Sequence, residues 1–489
     1  MLNFRIISKA IGGLLILEGA LMGVCFAVGL NYGENSLNDC LSWLIPIAAT
    51  FIIGGSLSAV GQGAQKSFGR RDGYLVVSLT WIIFSLFGML PFYLCGCTDG
   101  RIAMAFFEAM SGFTTTGASA FDDIDALPHS ILMWRSLSHW IGGMGIVFFT
   151  LAVLPALGIG EQKLFAAEAT GVKISKLHPR ISTTAHWLWS LYFLLTGSCI
   201  LAYHLCGMSF FDAVNHGFST IATGGFSTHT DSIEWFKSDL IQYVSATFML
   251  LASINFALLY LFLIRRRFKQ VLRDEELRFF LGGLLFSIVV IGLCRYFNGG
   301  HSIGESFRIA YFTSISLAST TGFTTADFSQ WHPVAWITIT IISVIGGCSG
   351  STSGGLKVVR IVTMWKIVRT EFKKILHPRA LLPVRLNDSP IDESVIRTIG
   401  AYTILYIMLV VGGTALMILL GLSAVDSIGL AISSFSNIGP TIGHDIGPLT
   451  AWGCLPDSIL WINSFLMLAG RLEVFSLLLP FVPSFWRDR

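Results

Sequence analysis

Along the chain, apolar residues gather into long blocks separated by short polar gaps. The blocks fall near residues 10–31, 43–65, 74–95, 131–158, 184–207, 239–264, 279–297, 332–370, 396–421 and 457–482. Each is near or above the roughly 20 residues that a helix needs to cross a bilayer core. The pattern predicts an all-α polytopic membrane protein with ten membrane-spanning segments, the block 332–370 being interrupted. The first block, Ile11 to Leu30, is too long for the apolar part of a signal peptide and has no small-residue cleavage site, so it reads as the first span.

After the first two blocks, the other eight form four pairs, and a similar polar segment lies between the members of each pair. These segments read SGFTTTGAS (111–119), STIATGGFS (219–227), SISLASTTGFT (314–324) and SSFSNIGPT (433–441). Aligned on Gly117, Gly225, Gly322 and Gly439, a serine stands six residues before each glycine: Ser111, Ser219, Ser316 and Ser433. Two residues before it stand Thr115, Thr223, Thr320 and Asn437; two after it, Ser119, Ser227, Thr324 and Thr441. The residues directly before are Thr116, Gly224, Thr321 and Ile438. The predicted organisation is two extra N-terminal helices (1–72) and four helix–pore loop–helix repeats (73–183, 184–278, 279–394, 395–489) in pseudo-four-fold arrangement around a central pore.

Composition agrees with the pattern. Hydrophobic residues make up 53% of the 489 and charged residues 12%, about half the charged share of an ordinary soluble domain. The net charge is only +3, but the charges are unevenly placed. With the N-terminus set in the cytoplasm, twenty-six of the 32 Lys and Arg fall in inside segments, as the positive-inside rule requires. They include Arg5, Lys9, Lys66, Arg70, Arg71, Lys163, Lys173, Lys176, Arg180, the run Arg265–Arg267 and Lys373–Lys374. The basic clusters read as topology determinants and lipid-headgroup contacts that can also dock a cytoplasmic partner. Both termini are then cytoplasmic, and all four glycine segments enter from outside. The outer connections carry Asp122, Asp123, Asp125, Asp231, Glu234, Asp239, Glu305, Asp327, Asp426, Asp445 and Asp457. Such a vestibule concentrates cations; ordinary solvated loops are the alternative for any single carboxylate. Nine scattered cysteines read as packing thiols.

Backbone without helical hydrogen bonds is tolerated at membrane depth only where it lines a cavity or is buried in protein. About twelve mostly small or apolar residues lead into each glycine, which suits a half-helix followed by an extended strand. Glycine lets the strand turn its carbonyls toward a common axis, where they can replace a cation's hydration shell. Thr and Ser hydroxyls then add ligands or hold the strand. Oxygen ligation without carboxylates suits a monovalent alkali cation. The competing reading, that small residues simply allow close helix packing, is weakened by four copies in register. Loop four departs from the others, with Asn437, Ile438 and Pro440.

These segments resemble the filter loops of the Trk/Ktr/HKT superfamily of potassium transporters. With the two extra N-terminal spans and the stretch GGCSGSTSGGLK (346–357), the chain resembles TrkH-type subunits over essentially its whole length. The resemblance implies potassium as the transported ion, bound at a filter of Thr115, Thr116, Gly117, Thr223, Gly224, Gly225, Thr320, Thr321, Gly322, Asn437, Ile438 and Gly439. It implies a homodimer in a bacterial cytoplasmic membrane and a cytoplasmic ring of TrkA-type regulatory subunits. A nucleotide (ATP, ADP or NAD) is expected on that ring, with no covalently bound cofactor on this chain. It also implies an intramembrane gate at Gly346, Gly347, Gly350, Ser351, Thr352, Ser353, Gly354, Gly355 and Lys357. Glycine at all four filter centres matches the potassium pattern, against a sodium-selective or non-selective relative.

The gate stretch lies inside the ninth block, where a glycine and serine run cannot sustain a regular helix. A passive hinge is the other reading. A phosphate-binding loop fails on spacing, because Gly350 and Gly355 are followed by Leu356 rather than Lys. Arg471 sits mid-span in the last block, where an arginine usually faces a pathway or a partner. The family role is repulsion of cations below the filter; the alternative is an ion pair with Glu473, Glu108 or Glu18. Glu108 reads either as a buried hydrogen-bonding group or as a weak cation attractor. Arg135 and His139, one turn apart, read as packing or interfacial groups rather than pore-lining ones. No histidine falls in a metal-ligand spacing, no nucleophile–base motif appears, and no nucleic-acid partner is expected. A secondary transporter of a small organic solute remains as an alternative; that class usually shows inverted repeats, whereas two-span repeats all share one orientation.

Overall fold

The structure, a computed structural model, describes residues 2–63, 69–143, 145, 181–300, 302–380 and 382–487. Lys66, Lys163, Lys173, Lys176, Arg180 and the later part of the block 131–158 lie outside the described residues.

Helices α1 (Phe4–Asn31) and α2 (Leu37–Val60) form a hairpin. They approach closely because their facing positions are small. A Cβ on Gly12 would lie 2.5 Å from the Gly54 carbonyl oxygen, the kind of contact that associates helices in lipid. Each of the four repeats expected from sequence then holds a first helix, a half-helix and a second helix, in that order among the described residues. In repeat one these are α3 (Arg70–Gly88, continued by Leu90–Leu94), α4 (Ile102–Phe113) and α5 (His129–Gly143). Repeat two has α6 (Ile181–Leu205) and α7 (Phe210–Ile221), then α8 (Asp239–Ser253) followed by α9 (Phe256–Leu263). Repeat three has α10 (Glu275–Gly299) and α11 (Ile303–Ala318), then α12 (Pro333–Ile345) and α13 (Val358–Leu376). Repeat four has α14 (Glu393–Leu419) and α15 (Ala424–Ser436), then α16 (Asp457–Arg471) and α17 (Glu473–Leu478). Among the described residues, the strands consist of one two-residue ladder, Arg385–Leu386 with Ser389–Pro390.

Three of the half-helices start at a serine N-cap, Ser209, Ser302 and Ser423, each accepting from the amide of an acidic residue three positions on. That is the serine and acid half of a capping box. The buried core falls into two clusters. One joins α1 and repeat one to repeat four; the other joins repeats two and three.

The ten expected spans are not ten straight helices. By length and composition, six described helices can cross a membrane, or eight if each of two bent pairs counts as one span. The block 239–264 is α8 and α9 at 107°, and the block 457–482 folds back by 117°. The block 332–370 is split by the loop 346–357 between α12 and α13. A hydropathy window averages over backbone breaks made of small, mildly apolar residues, so it cannot register them. Cys95 and Cys97 are joined in a disulfide, contrary to the expectation of thiols throughout; the other seven cysteines are free.

Candidate functional site: four glycine loops and an intramembrane loop

All four half-helices end in the same way. The residue two before the central glycine is left-handed in each: Thr115 (φ 54°), Thr223 (54°), Thr320 (56°) and Asn437 (54°). The next amide donates to the carbonyl of the recurring serine: Thr116 to Ser111, Gly224 to Ser219, Thr321 to Ser316 and Ile438 to Ser433, over 2.9, 2.8, 2.9 and 3.0 Å. The left-handed residue donates one position further on, to Gly112, Thr220, Leu317 and Ser434. This is the Schellman end of a helix, normally closed by glycine. Threonine in that conformation is strained, at a cost of about 1–3 kcal/mol, and such strain collects at functional sites. The serine and the residue at minus two are thus the two ends of one helix cap. The threonine hydroxyls face inward on the protein: Thr114 bonds Thr116 and Ser319 bonds Thr321 (2.8 and 2.7 Å).

The central glycines all have positive φ (77°, 86°, 81° and 95°) and pack against the next loop. A Cβ on Gly117 would lie 1.9 Å from the Gly224 carbonyl oxygen, one on Gly225 2.1 Å from that of Thr321, and one on Gly322 1.9 Å from that of Ile438. One on Gly439 would lie 2.7 Å from that of Thr116. The contacts run from loop one to two, three and four and back to one. Asn437 Nδ2 also donates to Thr116 Oγ1 (3.0 Å). The four glycines line a single cavity, with about 90 Å³ of space for water, whose walls continue into residues that follow them in sequence, among them Ser119, Asp122, His229 and Trp452. Every filter residue expected from sequence therefore belongs to this ring or to the helix ends that support it.

Buried polar groups brace the ring. Glu108 and Arg135 form an ion pair (2.8 Å) with side chains 0% and 1% exposed. Arg135 also donates to the Ser227 carbonyl and to Ser119 Oγ, each at 3.0 Å. His216 Nε2 meets Ser227 Oγ at 3.0 Å. His139 Nδ1 meets Ser219 Oγ at 3.1 Å, and its ring stacks on Phe226. His139 packs against loop two, as expected of it; Arg135, expected to pack rather than to line the pore, packs against loops one and two and also lines the cavity.

The segment 346–357 has no regular secondary structure apart from turns. It inserts into the break of repeat two: Cys348 N donates to the Ser253 carbonyl, Thr352 N to that of Ala252, and Phe256 N to that of Gly350 (3.0, 3.4 and 3.0 Å). Its tip reaches the ring, where Gly354 N donates to Thr320 Oγ1 (2.6 Å). Lys357 Nζ donates to the Ser353 carbonyl. Arg471, at the bend of repeat four, donates to the carbonyls of Thr352 (2.8 Å), Gly142 (2.7 Å) and Gly143 (3.1 Å). It thus ties the loop to the end of α5. Sequence reasoning missed Glu276. From the first turn of α10 this buried carboxylate accepts from Ser349 N (2.6 Å), Ser349 Oγ (2.9 Å) and Val359 N (3.2 Å). Nothing in its local sequence marks it as a partner of a loop more than 70 residues away.

Beside the cavity, His229 lies between Asp125 (2.5 Å) and Asp212 (3.5 Å), flat on Trp235. Partial burial alone would lower its pKa, but hydrogen bonding to Asp212 and Asp125 outweighs this and raises it. Burial would raise Asp125, but its bonds to His229 and Thr230 hold it below the usual carboxylate range. Among the described residues, no three histidine, cysteine or acidic groups gather as a metal site.

The long apolar helices are those of a multi-pass membrane protein, and comparison with known proteins places it in the cation-transport class. The model of the TrkH family, cation transport proteins, matches residues 42–487. The Trk system potassium uptake protein TrkH of Escherichia coli (strain K12) is 35% identical over 489 residues, covering 100% of both chains. That of Halomonas elongata is 34% identical, covering 99% of this chain and all of the relative. The crystal structure of the potassium transporter TrkH from Vibrio parahaemolyticus superposes with a TM-score of 0.88 at 32% identity, covering 99% of this chain and 100% of that one. The chain belongs to the TrkH family.

Proposed function

We propose that this protein takes up potassium across the bacterial cytoplasmic membrane through a pseudo-four-fold pore whose filter is the ring of glycine loops. The observation that carries this reading is the closed cycle of glycine-to-carbonyl contacts, from Gly117 around to Gly439. Small residues are needed there because each backbone abuts its neighbour, and that leaves carbonyls as the groups free to ligate an ion. The four half-helices add to this, since their negative C-terminal ends meet at the ring. Potassium is what the curated relatives carry, and all four centres are glycine.

The loop 346–357 acts as the gate in this reading. It touches filter residue Thr320, its glycines and hydroxyls allow rearrangement, and Arg471 and Glu276 hold it in place. Arg471 places a guanidinium below the ring, where it opposes cation passage until it moves. Both termini face the cytoplasm, where a TrkA-type nucleotide-binding ring regulates the gate. The working unit is a homodimer. One candidate face for the second copy is the exposed apolar stripe of α13, with Trp365, Val368, Phe372 and Ile375.

The test is rubidium-tracer uptake into liposomes holding this protein, competed with potassium or sodium. Uptake suppressed by potassium but scarcely by sodium supports the reading. Equal suppression by both rules out a potassium filter. If there is no uptake, the same assay on a protein lacking residues 347–354 separates a closed gate from a wrong substrate.

A further inference from the structure

We propose that Arg135, held by Glu108, is the positioning residue that sets the spacing of the first two filter loops and through it the preference for potassium over sodium. The inference rests on reading the glycine ring as the filter. Arg135 uses its planar fork in three directions at once: Nε to Glu108 (2.8 Å), Nη1 to the Ser227 carbonyl (3.0 Å) and Nη2 to Ser119 Oγ (3.0 Å). Ser119 and Ser227 occupy the same register, two residues after the central glycines of loops one and two. A single rigid group therefore spans two loops at equivalent points. Its face rests on Phe226, with 4.1 Å from the guanidinium carbon to the ring centroid. Glu108 is fixed in turn by Ala120 N (2.8 Å) and by Ser119 Oγ (3.2 Å).

Loops three and four are braced differently. There the recurring serine holds its own strand: Ser316 Oγ donates to the Phe323 carbonyl (2.7 Å) and Ser433 Oγ to that of Gly439 (2.8 Å). In loop one the matching Ser111 hydroxyl has no partner among the described residues, and in loop two Ser219 turns to His139. The ion pair replaces the serine brace in one half of the ring and, unlike it, links one loop to another.

A buried ion pair is a poor source of stability, because the desolvation cost offsets the attraction. Geometry is what it can supply. A guanidinium presents fixed, co-planar donors, whereas an ammonium is a point charge on a flexible stem. Glu108 cancels the positive charge, so Arg135 can line the cation cavity without repelling its contents. Discrimination between ions by a carbonyl ring depends on the spacing and field of its oxygens, and the fork sets that spacing between loops one and two.

The test compares Arg135→Lys and Ser119→Ala with the parent chain. Two quantities are read on the full-length protein: potassium against sodium competition for rubidium uptake in the gate-deleted background, and the rise in melting temperature produced by each chloride salt at equal ionic strength. Arg135→Lys keeps the charge and loses the fork. Its potassium preference is expected to fall about tenfold, the effect of losing one charge-assisted hydrogen bond. Ser119→Ala, which keeps the ion pair, is expected to lose part of the preference with little change in ion-free melting. If both variants fold and keep the parental preference, the proposal is overturned. If Arg135→Lys fails to fold, Ser119→Ala decides alone. Gly117→Ser is the control: an effect there with none at Arg135 or Ser119 removes the clamp and leaves the filter. No effect at any of the three removes the filter reading itself.

Discussion

At the scale of single residues, chemistry concentrates where the backbone is least ordinary. Gly117 combines a positive φ with a neighbouring carbonyl oxygen only 1.9 Å from where a Cβ would stand. Gly117→Ser is therefore expected to push loops one and two apart. Ion competition in the uptake assay should show potassium preference reduced by about tenfold or more, equivalent to roughly 1.4 kcal/mol; an unchanged preference in a folded variant removes Gly117 from the filter. A second residue-scale prediction concerns His229. Its pKa is raised in the folded protein, so its contribution is full below the ordinary imidazole value of about 6.5 and is lost as pH rises through the raised value. Asp125 is lowered, so its contribution is full above the ordinary carboxylate value of about 3.9 and is lost as pH falls through the lowered one. The bridge between the segments that follow glycine loops one and two is strongest between those two ordinary values. Melting curves across pH should show this optimum flattened in His229→Gln; an identical profile would remove the assignment.

At the scale of elements, the instructive units are the broken second helices. Repeats two, three and four each interrupt the second helix, and the loop from repeat three fills the break in repeat two. Removing residues 347–354 is expected to raise basal rubidium flux severalfold or more without partner subunits, and unchanged flux refutes the gate. Glu276→Gln tests the same element from outside the loop. The amide cannot accept from Ser349 and Val359 as the carboxylate does, a loss of about 1–3 kcal/mol of anchoring. Basal flux should rise by a smaller factor than in the deletion, and a fall in flux would show that the anchor holds an open state instead. The recurring serines, the approximate half-helix lengths and the glycine pattern were all legible in the sequence. The breaks were not, except at 346–357 with its five glycines, because the others fall at sequences such as ASINFA (252–257), which carry ordinary hydropathy.

At the scale of the whole molecule, the basic residues carry the proposed orientation and two buried clusters carry the packing. The proposed orientation leaves Cys454 outside and exposed. A membrane-impermeant maleimide should label intact cells, with the Cys454→Ser difference isolating this thiol. Burial and Asp122 raise its pKa, so labelling should quicken at alkaline pH. Labelling that requires lysis would reverse the topology.

What the sequence alone determined is what depends on local composition and repetition: a helical membrane protein, the four equivalent loops, their glycine centres and the candidate gate. Bilayer length and helix-cap chemistry act on contiguous residues, so they leave a readable pattern. What only the tertiary structure decided is which groups meet across the repeats. Arg135 reaches Ser227, Glu276 holds Ser349, Arg471 reaches Gly142, and each glycine faces the next loop's carbonyl. These pairings join residues 73 to more than 300 positions apart, and a single buried polar side chain carries no mark of the partner that burial will require it to find.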